Sequence, residues 1–128
     1  MKNKKAIKDF QDLEIYQLSL ELAVKIYKLT EDLPIKEKFS LSQQLIRAVS
    51  SIGANIAEGF GRFHRKEFIK FLYIARGSLM EVYHFIILAK ELNYLKKSEF
   101  SSLEQDVNKL GVKLNNLISA ISKHNKSQ

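Results

Sequence analysis

Cysteine is absent from the sequence. That rules out disulfides, thiolate metal sites and cysteine nucleophiles, and it agrees with a reducing, cytoplasmic setting. One proline and five glycines in 128 residues are too few for the many tight turns of a β-sandwich or barrel. No apolar run approaches the roughly 18–20 residues of a membrane span, so no membrane partner is expected. The basic opening Met1–Lys8 has no apolar segment behind it and does not read as a signal peptide. No Gly-Lys-Ser/Thr follows Gly59-Phe60-Gly61, which excludes a P-loop. Glu81 and His84 stand three apart, yet no second Glu-x-x-His pair accompanies them as a di-iron bundle requires. No clustered carboxylates suit a two-metal nuclease. The chain therefore reads as a non-enzyme, with no catalytic residue, metal ligand or cofactor expected.

What is present is an apolar content of 45% and a formal net charge of +7. The first supplies a core for one domain. The second favours a polyanionic partner such as RNA or DNA.

Apolar residues recur at spacings of three and four through most of the chain. Four helices are predicted, over about 12–31, 41–60, 65–92 and 98–123, between a basic tail at 1–9 and a polar tail at 124–128. The first helix carries two stripes on different sides. One is Leu13, Tyr16, Leu20, Ala23, Val24 and Tyr27; the other is Ile15, Leu18, Leu22, Ile26, Leu29 and Leu33. A helix in a lone bundle needs one stripe, so the second requires another helix or another subunit. Pro34 ends this helix, and Ser40-Leu-Ser-Gln43 has the form of a capping box.

The second helix has a core stripe of Leu41, Leu45, Ala48, Val49, Ile52 and Ile56, a small stripe of Ser50, Gly53, Ala54, Ala57 and Gly61, and a polar stripe of Gln44, Arg47, Ser51, Asn55, Glu58 and Arg62. Small side chains let a neighbouring backbone come close. Gly59 or Gly61 is expected to take the left-handed cap. The third helix is the clearest: Phe68, Leu72, Ala75, Leu79, Val82, Ile86 and Ala89 alternate four and three, the pattern of a bundle seam. A second stripe of Phe71, Ile74, Phe85, Leu88 and Leu92 is interrupted by Ser78 and Glu81. Ser98 is placed to cap the fourth helix, whose seam is Phe100, Leu103, Val107, Leu110, Leu114, Leu117 and Ile121. Four helices with short links make an all-α, antiparallel up-and-down four-helix bundle.

Two constellations bear on function. Asn55, Glu58 and Arg62 on the second helix and Ser78 and Glu81 on the third make a polar set; a turn near residue 63 sets residue 55 level with 71 and 47 with 79, which puts Glu81 nearer Arg47 than Arg62. A polar network between helices is the favoured reading, and a carboxylate general base is the other. Arg62, His64, Arg65, Lys66, Lys70 and Arg76, with Arg47 before them, make a basic run interleaved with Phe60, Phe63 and Tyr73. That run is either a solvated helix start or a patch for phosphates, with rings able to stack on bases where exposed. His64, His84 and His124 are scattered and read as surface histidines.

At Ser51-Ile-Gly-Ala-Asn-Ile-Ala-Glu-Gly-Phe-Gly-Arg62 and Phe68-Ile-Lys-Phe-Leu-Tyr-Ile-Ala-Arg-Gly-Ser-Leu-Met-Glu81 the chain resembles the four-helix-bundle proteins encoded in intervening sequences of bacterial 23S ribosomal RNA genes. The match extends from Phe10 to the last helix. Its motif positions are Asn55, Glu58, Gly59, Gly77, Ser78 and Glu81, none with a catalytic role. The resemblance implies an up-down bundle assembled as a homopentameric ring, with a link to RNA suggested by genetic location. The chain is similar in architecture to the basic pentameric accessory proteins of diversity-generating retroelements, which bind nucleic acid and a reverse transcriptase. The expected partners are therefore further copies of itself and RNA or DNA; the alternative is a protein–protein scaffold without nucleic-acid binding.

Overall fold

In the computed structural model, which describes residues 6–126, helices α1 (Glu14–Glu31), α2 (Leu41–Gly61), α3 (Arg65–Glu91) and α4 (Lys97–Lys126) make an antiparallel up-and-down bundle. Each helix packs on two neighbours in the cyclic order α1, α2, α3, α4, and the α2–α3 pair is the most extensive. Short 3-10 turns at Phe10–Asp12 and Ile35–Glu37 lead into α1 and α2.

The core is built from the apolar stripes. All six core-stripe residues of α2 are buried. Ile15, Leu22 and Ile26 meet them from α1, and Leu72, Ala75, Leu79, Val82, Ile86 and Ala89 from α3. In α4 the buried series runs through Phe100, Leu103, Val107, Leu110 and Leu114, then passes to Ile118, leaving Leu117 and Ile121 half-buried. A straight helix turns every 3.6 residues, so a 3.5-residue seam drifts by about 20° per heptad until an adjacent residue takes it over. Each fully buried Leu or Ile is worth about 1.5–3 kcal/mol, whereas an exposed ion pair contributes about 0–1 kcal/mol. Apolar burial therefore outweighs the α1–α4 pairs Lys25–Asp106 (2.6 Å) and Lys113–Glu14 (3.2 Å).

The helix ends differ from expectation. Asp9, not Asp12, opens the first structured turn: its carboxylate accepts from Phe10 N–H, and Asp12 accepts from the N–H groups of Lys8 and Asp9. The end of the expected 1–9 tail is thus tied down, while residues 1–5 lie outside the described region. Ser40 sits at the N-cap of α2 without a side-chain cap; its hydroxyl donates instead to Glu37 Oε1 at 2.6 Å. At α4 the reach-back comes from Glu99, which accepts Lys96 N–H at 2.9 Å, so helix begins at Lys97 and Ser98 lies inside it. α4 continues to Lys126, three residues past the expected 123.

By length and composition α3 also qualifies as a membrane span, a test that bundle core helices pass equally, and a third of its most apolar stretch is buried within the chain. Tyr73, Ile74, Met80, Ile87 and Leu88 remain exposed on it, as does Leu92 at its C-cap. A helix that is apolar all round is ordinarily buried all round.

Candidate nucleic-acid interface

The α2–α3 turn is set by two competing uses of glycine. Gly59 is buried, and a Cβ placed there would lie 2.6 Å from the Cβ of Phe71. It is kept for close helix packing and stays helical. Gly61 has nothing within 4 Å of such a Cβ and is helical too. The left-handed position falls to Phe63, with φ 59°. Arg62 N–H donates to Gly59 O at 3.3 Å and Phe63 N–H to Phe60 O at 3.4 Å. A bulky residue in this region is an outlier, costing about 1–2 kcal/mol. The C-terminus of α3 shows the ordinary solution: Asn93 takes φ 64°, and Tyr94 N–H reaches Ala89 O while Asn93 N–H reaches Lys90 O, both at 2.9 Å, a Schellman closure.

The turn gathers four of the six predicted cations. Arg62 is half-exposed, bonds Glu58 Oε2 at 2.8 Å and lies 5.3 Å from the Phe71 ring centroid. The hydrogen bond and charge of Glu58 raise its pKa. Arg65, Lys66 and Lys70 are exposed and make no ion pair with any described residue. The other two stand apart. Arg47 is about 22 Å from Arg62 along α2. Arg76 turns toward α4, donating to Asn115 Oδ1 at 2.9 Å with its guanidinium over the ring of Tyr73. The up-down order brings the start of α1 and the end of α4 to the same end of the bundle, adding exposed Lys8 and Lys123. Among the aromatics, Phe60 packs edge-on against Phe68 at 6.0 Å, and Phe63 is 87% exposed.

The Ser51–Ser78 contact, with Oγ atoms 3.0 Å apart, and the Gly59–Phe71 contact centre the α2–α3 pairing at residues 64–65. Asn55 is therefore level with Ile74 and Ala75, not with Phe71 as a turn at 63 implies. Ser51 is the member of the polar stripe that bridges the helices. Among the described residues no group of three or more His, Asp or Glu is placed to hold a metal ion.

A groove of about 660 Å³ runs between α1 and α2, lined by the outer stripe of α1 and the small stripe of α2 that the sequence had left in need of a covering partner. Tyr16, Leu20, Val24 and Tyr27 form one wall, and Gly53, Ala54 and Ala57 line the floor. Of the outer stripe of α1, Leu20 and Val24 stay exposed, while Tyr16 lies against Gly53 and the Tyr27 hydroxyl is 3.2 Å from Ser50 Oγ, so the small stripe of α2 is only partly used.

The model of the 23S rRNA-intervening sequence protein family matches residues 11–116. The chain belongs to that family. It is also similar to the crystal structure of a protein of unknown function from the S23 ribosomal protein family of Bacteroides thetaiotaomicron VPI-5482, with 31% identity and a TM-score of 0.76 over 82% of this chain and 95% of that one. No curated protein matches the sequence.

Within this intervening-sequence protein, the six motif positions do not act as one group. Ser78, buried, donates to Ser51 Oγ, and Asn55 donates to Ser51 O at 2.8 Å and Oγ at 2.9 Å. Gly59 sets the helix spacing. Glu58 holds Arg62. Gly77 and Glu81 are exposed on the outer side of α3. The expected five-residue network therefore divides into a half-buried Ser51–Asn55–Ser78 cluster and an exposed Glu58–Arg62 pair, with Glu81 outside both.

Proposed function

We propose that this protein is a non-enzymatic homopentameric ring that binds RNA or DNA through the basic end of its bundle in the cytoplasm. The observation that carries the nucleic-acid part is the grouping of Arg62, Arg65, Lys66 and Lys70 around one turn, with the last three free of ion pairs to described residues in a chain of net charge +7. Cations at a helix start oppose its dipole, and phosphate would offset that cost. A ring repeats the patch about one axis, so that phosphate contacts add and salt dependence is steep.

Self-assembly is supported by two unlike apolar surfaces, the α1–α2 groove and the outer face of α3. The occupant we assign to the groove is α3 of a second copy. Tyr73, Met80 and Ile87 are seven apart on one face and span about 21 Å, against about 16 Å from Tyr16 to Tyr27. The small floor admits a helix at close range. Unlike surfaces pair heterologously, and a rotation that closes gives a ring. α1 and α3 run the same way in the bundle, so rotation about an axis along it lays them parallel. The number five rests on the family resemblance.

Fluorescence anisotropy with labelled RNA and DNA tests the binding. Lys66→Gln with Lys70→Gln should lower affinity and reduce the salt slope by about 1–2; affinity that is absent or insensitive to salt removes the proposal. Light scattering should give a pentamer. With no native cysteine, Ala54→Cys chains mixed with Met80→Cys chains should cross-link while neither does alone. Self-cross-linking of Ala54→Cys would overturn the heterologous pairing. An assembled ring without nucleic-acid affinity would leave the scaffold reading, which the groove favours.

A further inference from the structure

We infer that Phe63 is a stacking platform for an unpaired base, so that the nucleic acid taken at this end of the bundle is single-stranded. The inference rests on the proposed nucleic-acid reading and names its substrate class. Phe63 is the residue the fold places in the left-handed cap of α2, at φ 59°, although Gly59 and Gly61 stand four and two positions before it. The residue is 87% exposed and lies outside the core. The neighbouring aromatics are already engaged: Phe60 with Phe68, Phe71 beneath Arg62 and Tyr73 beneath Arg76. Phe63 has no ring or cation partner among the described residues and keeps its faces open. Arg62, His64, Arg65 and Lys66 flank it.

A bare ring at the tip of a turn, with Arg62, Arg65 and Lys66 close to it along the chain, combines the two elements of sequence-tolerant single-strand binding: charge for the backbone and a π-face for the base. A duplex offers its phosphates to the same cations but keeps its base faces stacked on one another. The cations alone do not distinguish the two forms; the ring does.

The test uses the full chain and anisotropy with an unstructured RNA 20-mer, the matching DNA strand and the DNA duplex. Phe63→Gly suits the positive φ and leaves the fold intact, which a rise in melting temperature would register. It should weaken single-strand binding about ten-fold or more while leaving duplex affinity and the salt slope unchanged. Because the chain has no tryptophan, Phe63→Trp supplies a single reporter, which should keep single-strand affinity and show quenched emission as a base stacks. Comparison of the RNA and DNA arms identifies which strand is preferred. Unchanged single-strand affinity in Phe63→Gly, or unperturbed emission at saturation, overturns the stacking role while leaving the basic patch in place. Absence of binding by the unaltered protein overturns both.

Discussion

Gly59 approaches α3 so closely that a Cβ on it would stand 2.6 Å from the Cβ of Phe71 and 3.2 Å from a ring carbon of Phe68. Neither Cβ nor its backbone can swing aside as the tip of a long side chain can. Gly59→Ala should therefore destabilise by about 1–3 kcal/mol through overpacking. Gly77, also within a helix, has nothing within 4 Å. Gly77→Ala should stabilise the isolated chain by up to about 1 kcal/mol from helix propensity. Urea denaturation of the two variants should show shifts of opposite sign.

Ser78 is 6% exposed and spends its hydroxyl on Ser51. Ser78→Ala should cost about 1 kcal/mol, because Ser51 keeps its bond from Asn55 and is not left bare. Ser78→Leu should cost more, about 1–3 kcal/mol, by forcing α2 and α3 apart. Chemical denaturation with far-ultraviolet circular dichroism reads both.

Glu37 accepts from Ser40 Oγ at 2.6 Å and from the Tyr94 hydroxyl at 2.7 Å. These bonds, Ser40 foremost, lower its pKa from the ordinary 4.5, and the Glu37 bond raises that of Tyr94 from 10.0. A depressed carboxylate contributes stability that is present above its unfolded pKa and lost as pH falls through its folded one. The raised phenol contributes below its unfolded pKa and loses that contribution as pH rises through its folded value. Tyr94→Phe should thus flatten both the acid and the alkaline limbs of stability against pH, measured by denaturant midpoints.

Lys25 and Asp106 join α1 to α4 at 2.6 Å with side chains 51% and 34% exposed. Solvent screens such a pair, and Asp106→Asn should change stability by less than about 1 kcal/mol. Added salt should shrink that difference further. A larger loss in the denaturation midpoint would mean that the α1–α4 seam depends on charge more than on its apolar stripe.

The core was legible where periodicity was unbroken. The stripe from Leu41 to Ile56 and the seam from Leu72 to Ala89 are buried as their spacing requires. Readings that depended on a single side chain fared less well. Ser40 has the right identity for a cap, but its hydroxyl donates to Glu37 and accepts from no N–H group of the helix. Ser98 was displaced because Glu99 reaches back to Lys96. Of the six cations proposed from the run, four share the turn and Arg76 is drawn aside by Asn115, a residue 39 positions away that no local pattern reveals.

The sequence by itself determined four amphipathic helices, their order and the stripes that face the core, because each follows from spacing within one helix. Tertiary structure decided which glycine is free to cap and which outer stripe stays open. Those outcomes depend on what lies across from a residue, and spacing along the chain does not encode distance across it. Gly59 is claimed by Phe71, the left-handed position passes to Phe63, and the ring is left exposed beside the cations that the sequence had already placed there.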